Sequence, residues 1–179
     1  MNIKFLAAAA LVCACPVRAL AVNAFMGHYG YMLTYPVTYS ANPTFKGAIE
    51  VVDIFPEKCA GLKKRSDCAK LGMIELYALP KGLVEASINA KTLDSYVAAI
   101  RKDAKKEGIK SRESRKKRAG FPSALIEMLD HPEPLNTMIV VEGSKVYYRF
   151  KFNAKTGAKA AAAIVETLKE VAPHDNPPK

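Results

Sequence analysis

Residues 101 to 118 carry ten basic side chains, Arg101, Lys102, Lys105, Lys106, Lys110, Arg112, Arg115, Lys116, Lys117 and Arg118. Against them stand Asp103, Glu107 and Glu113, a local net charge of +7. Such a concentration makes a positive field that draws polyanions and weakens as salt rises. The expected anion-binding residues are Lys105, Lys106, Lys110, Arg112, Arg115, Lys116, Lys117 and Arg118. Outside the cytoplasm the partner would be an anionic envelope polymer or an acidic protein surface, with nucleic acid disfavoured. The competing reading is a solvated helix face and edge strand that carry charge for solubility.

No comparable pattern supports catalysis. His28, His131 and His174 are scattered, glycines do not cluster into a phosphate-cradling loop, and no serine lies in a nucleophile-elbow context. Glu127 and Asp130 read as strand and turn polarity. No catalytic residue, metal ligand or cofactor is implied, and a small hydrolase would need a site that only folding assembles. A second candidate surface is the tyrosine row Tyr29, Tyr31, Tyr35 and Tyr39, which suits stacking against a partner. Tyrosines at strand spacing more often pack on a core, and that is the expectation here.

The compartment follows from the start of the chain. Lys4 precedes an unbroken apolar run from Phe5 to Cys15, and Ala19-Leu20-Ala21 places small residues at both cleavage-specifying positions. A bilayer span needs roughly 20 apolar residues and a signal core about 7 to 15, so residues 1–21 read as an export signal. A lipid-modified Cys15 is the alternative. The product is periplasmic or secreted, without a transmembrane segment once the signal is removed. Removing residues 1–21 leaves 158 residues, 25 basic and 17 acidic, a net of +8 concentrated in the basic segment. It also leaves two cysteines, Cys59 and Cys68, which in an exported protein suggest one disulfide. A redox pair usually sits two residues apart, and zinc would require two further ligands not found nearby.

Periodicity supplies the elements that must position these groups. The run from Tyr29 to Tyr39 alternates like a strand that either ends near Tyr35 or runs along an edge, because Pro36 cannot donate to a ladder, and Asn42-Pro43 begins a loop. Ile49–Phe55, Met73–Leu79, Ala124–Leu129, Thr137–Glu142 and Lys145–Phe152 read as strands. The last two form a hairpin about Gly143-Ser144 with Val146, Tyr148, Phe150 and Phe152 inward and Lys145, Tyr147, Arg149 and Lys151 outward. Residues 109–118 read as either an edge strand or a loop, and their charge favours the edge strand. Helices are expected at 92–107, capped by Thr92 and closed by Gly108, and at 156–171. Residues 22–172 thus form an α+β domain with a central, mainly antiparallel sheet and helices packed on its faces. A disordered tail follows at 173–179.

The phrases YMLTYP, AGFPSALIEML before a hairpin, SKVYYRFKF and a closing IVETLKEV, in this order, resemble the PsbP-like family across most of residues 29–171. The resemblance implies an antiparallel sheet flanked by helices. That fold is shared by photosystem accessory proteins, a nuclear Ran-binding relative and exported bacterial proteins, which act mainly by binding. The cysteine-bearing insert and the basic segment depart from that pattern, so no photosystem partner and no functional residue is carried over. Non-catalytic binding is the expected role, and a structural assembly subunit the other alternative.

Overall fold

The two strand-forming runs around Gly143 sit near the middle of the architecture. A computed structural model describes residues 21–62 and 64–171. The expected leader, apart from Ala21, and the expected tail lie outside the described residues. The chain begins with β1 (Val22–Gly27), β2 (Tyr31–Pro36), β3 (Tyr39–Lys46) and β4 (Ile49–Pro56). The cysteine segment holds a 3-10 turn and the short helix α1 (Arg65–Lys70). Then come β5 (Ile74–Pro80), α2 (Lys81–Ile88), α3 (Leu93–Lys106), β6 (Lys110–Arg118) and β7 (Phe121–Leu129). The hairpin strands are β8 (Thr137–Glu142) and β9 (Val146–Phe152), followed by α4 (Ala158–Val165) and β10 (Lys169–Glu170).

All strand pairs are antiparallel. Seven strands form one sheet in the order β3-β4-β5-β9-β8-β7-β6, and β1-β2-β10 form a second. On one face of the large sheet, Leu76, Tyr148 and Phe150 pack against Tyr31 and Leu33 of the small sheet and Ile164 and Val165 of α4. On the other, Leu79, Val140 and Tyr147 pack against Val84 of α2 and Tyr96 and Val97 of α3. The fold class is α+β, with helices on both faces of the antiparallel sheet.

Burial on both sides corrects the outward assignment of Tyr147. That side chain is fully buried, its ring centroid 4.9 Å from that of Tyr96. Strict alternation marks a strand with one wet face, whereas a central strand covered twice is apolar in both directions. The hairpin turn also moves by one residue. Gly143 N–H donates to the Val146 carbonyl at 2.9 Å, so the turn residues are Ser144 and Lys145. A distant side chain holds this turn, since the Glu170 carboxylate accepts from Ser144 N–H at 2.9 Å and from the Tyr148 hydroxyl at 3.1 Å.

Three further expectations change. Asn42-Pro43 lies inside β3 instead of opening a loop, because β3 is an edge strand, where a proline's missing N–H need not cost a ladder bond. The helix expected at 156–171 stops at Val165. Thr167 Oγ1 accepts from Thr34 N–H at 2.8 Å, and the chain turns so that Lys169 pairs with Met32. Helix α2 fills the stretch between the strand expected to end at Leu79 and the helix expected from 92, for which no element was predicted; Pro80 is its N-cap residue, just before the helix, where its ring is tolerated. In contrast, α3 has the expected Thr92 cap, reinforced by Ser95, and Gly108 closes it with φ +74°. The row Tyr31 and Tyr35 packs in the core.

A buried carboxylate ties the two sheets together. Glu50 on β4 is 2% exposed and accepts from the backbone N–H of His28, in the β1–β2 turn, at 3.1 and 3.2 Å. Burial pushes its carboxyl above the usual carboxylate range, and the His28 amide offsets this only in part. A raised carboxyl pKa means the folded state holds the proton more tightly than the unfolded chain. This contribution to stability is therefore full below the ordinary carboxyl range and is lost as pH rises through the raised value. Glu50→Gln should stabilise the protein at pH 7, with the gain shrinking toward pH 4. Urea unfolding at both pH values checks this, and a gain that is absent at pH 7 or equal at both values would contradict it.

Candidate anion-binding site

Alternation along β6 divides its side chains between two neighbours. Ser111, Glu113 and Arg115 face α3, while Arg112, Lys116 and Arg118 face the α4 side. As expected, β6 is an edge strand of the large sheet. Most of its cations, however, are neutralised from within the fold. Arg112 donates to Glu127 at 2.7 Å, which holds the Glu127 carboxyl below its ordinary range. Arg115 pairs with Glu113 and, at 3.1 Å, with Asp94. Arg101 reaches Glu113 at 3.0 Å, and Lys106 pairs with Asp103 at 2.9 Å.

Arg118 is only 8% exposed and meets Glu166, just past α4, at 3.3 Å. Glu166 also accepts from Ala119 N–H at 3.0 Å, the main reason its carboxyl lies below the ordinary range, and Lys116 stands 3.8 Å away. These contacts clamp the β6–β7 turn, where Gly120 takes φ +85°. The guanidinium of Arg118 is a structural group of that turn.

Among the described residues, Lys102, Lys105, Lys110 and Lys117 are the members of the ten that form no ion pair. Three of them converge. The left-handed Gly108 reverses the chain after α3, so Lys102 and Lys105 stand beside Lys110 at the start of β6. With Arg101 they line an open groove of about 720 Å³ floored by Ala98, Gly108 and Ile109. Lys117 lies further along β6. An open groove bordered by three lysines without ion-pair partners can hold an extended anion through several weak, salt-sensitive contacts.

No family model and no curated protein sequence matches this chain. Solved structures with a similar chain path do exist. The solution structure of cyanobacterial PsbP (CyanoP) from Synechocystis sp. PCC 6803 matches at TM-score 0.48 and 12% identity, over 89% of this chain and 98% of that one. A crystal structure from Bacteroides thetaiotaomicron VPI-5482 matches at TM-score 0.39 and 10% identity, over 82% of this chain and 47% of that one. Neither is near enough to say what this chain binds.

The histidines stay apart: His28 lies in the β1–β2 turn and His131 in the β7–β8 loop, while His174 is outside the described residues. Among the described residues no three His, Cys, Asp or Glu side chains are grouped to hold a metal ion. Cys59 and Cys68 are joined, Cα to Cα 5.3 Å. Sequence reading missed a polar network beside this staple. Arg65 of α1 bridges Asp53 on β4 and Glu75 on β5, and the Tyr77 hydroxyl donates to Glu75 at 2.7 Å. Strand register creates it by placing Asp53 opposite Glu75, and no local sequence signal announces such a pairing.

Proposed function

We propose that this is a non-catalytic binding protein of the cell envelope, and that the groove between α3 and β6 holds an anionic polymer. The observation that supports it is the convergence of Lys102, Lys105 and Lys110 without internal carboxylate partners, in a segment where six other cations are engaged. Export is supported by the apolar run at 5–15 and the Cys59–Cys68 bond. Among the described residues no helix is long and apolar enough to cross a membrane. The PsbP-like layout of the sequence, in a family whose members act mainly by binding, agrees with this reading.

The test is elution from an immobilised sulfated polysaccharide. Replacing Lys102, Lys105 and Lys110 together with serine should lower the eluting salt and flatten the log–log salt dependence of binding by about 2, since each released counterion contributes roughly 0.7–0.9 for a nucleic-acid polyanion. Lys116→Ser with Lys117→Ser should have a smaller effect. Equal elution of the groove variant and the parent would overturn the reading.

A further inference from the structure

An edge strand offers a row of backbone groups to any other strand, and three of the sheet edges here are guarded against it. Strand β6 carries KSRESRKKR and would repel a second basic strand. Strand β10 is only 2 residues long. On β3, Glu57 N–H donates to the Thr38 carbonyl at 2.9 Å, one pair beyond Tyr39 and Pro56. Ser40, Asn42 and Thr44 therefore bond β4, and Ala41, Pro43 and Phe45 turn their backbone groups outward. Pro43 interrupts that outward row, having no N–H to give.

Strand β1 has none of these devices. Its sequence, VNAFMG, holds no charge and no proline. Val37 N–H donates to the Ala21 carbonyl at 3.4 Å, one pair beyond Val22 and Pro36. Thr34, opposite Ala24, gives its N–H instead to Thr167, just before β10 on the other side of β2, at 2.8 Å. Both bonds fix the same alternation. Asn23 and Phe25 bond β2, while Val22, Ala24 and Met26 aim N–H and C=O away from it. Among the described residues no strand pairs with that outer edge. All three of these residues are exposed, Val22 at 55% and Met26 at 47%. Their side chains share one face of the small sheet with Met32 and Pro36.

We propose that this protein forms a two-fold dimer by antiparallel pairing of β1 with β1 of a second copy. The strand is self-complementary in that arrangement. An axis at Ala24 sets Val22 opposite Met26 of the other copy and Ala24 opposite itself, so apolar groups meet and the smallest lies on the axis. For a chain of formal net charge +10, an uncharged strip is where two copies meet with least repulsion. The placement of β1 adds to this. Asn23 Nδ2 donates to the Tyr39 carbonyl of β3 at 3.5 Å, and β3 is the edge of the large sheet opposite β6. Pairing through β1 thus uses the end of the fold away from the most basic strand. It also brings two exposed apolar strips side by side.

Sedimentation velocity over a concentration series tests it. The parent should shift from monomer to dimer as concentration rises. Ala24→Lys and Ala24→Glu each set like charges across the axis, and each should be monomeric where the parent is dimeric. Mixed in equal amounts the two variants should dimerise again, because opposite charges then face each other. Ala24 is exposed, so both should keep the melting curve of the parent monomer. Replacing Lys102, Lys105 and Lys110 with serine should leave the dimer unchanged, which separates this surface from the polymer groove. A parent that stays monomeric throughout would overturn the proposal and leave the edge to a strand of another protein. Dimers kept by both charged variants, or none in their mixture, would overturn it as well.

Discussion

Tyr147→Ala should destabilise the protein by about 3–5 kcal/mol, as much as Phe150→Ala on the opposite face of β9. Tyr147 has no exposed surface. Its ring packs on Tyr96 and lies under the Lys81 ammonium, 5.1 Å from the ring centre. It stands opposite Leu79 and Glu142 on the two neighbouring strands. Removing it opens a cavity beneath α2 and α3 that a packed interior cannot close. Tyr147→Phe keeps the ring and should stay within about 1 kcal/mol of the parent. Urea unfolding of the three variants decides the point. A cost below 1 kcal/mol for Tyr147→Ala would mean that α3 does not cover this face.

Replacing Cys59 and Cys68 together with alanine should cost about 2–3 kcal/mol, the chain-entropy value for closing a loop with a sequence separation of 9. The bond also holds α1, and α1 carries Arg65 to Asp53 and Glu75. The two contributions are therefore coupled. Arg65→Ala in the cysteine-free background should cost at least about 0.5 kcal/mol less than in the parent, the signature of groups sharing one scaffold. Denaturant unfolding of the four proteins measures both quantities. A difference of zero would show that α1 is positioned without the staple, and an unchanged midpoint in the double cysteine variant would contradict the loop argument.

Helix α3 and β6 were legible because their signals are local: a Thr92 cap, apolar residues at helical spacing, a closing glycine, and then a charged edge. The hairpin strands and the cysteine pair were legible for the same reason. Elements shaped by distant contacts were not. Glu170, far along the chain, holds the β8–β9 turn, and Thr167 ends α4 by bonding to Thr34. The sheet that covers Tyr148 is built from both ends of the chain and the helices that cover Tyr147 come from its middle, so alternation alone showed one buried face where there are two.

The candidate site divides in the same way. Charge density between residues 101 and 118 is a property of the sequence, because it needs only the identities of neighbouring residues. Which cations remain available is a tertiary property, because Arg112, Arg115, Lys116 and Arg118 meet carboxylates from outside the segment: Asp94 from the start of α3, Glu127 from β7 and Glu166 from just past α4. Arg149 is the sharpest case, since only folding buries its Nε and leaves that atom without a partner. Composition sets how much charge the chain carries, and Coulomb's law acts over distances that only the folded chain defines.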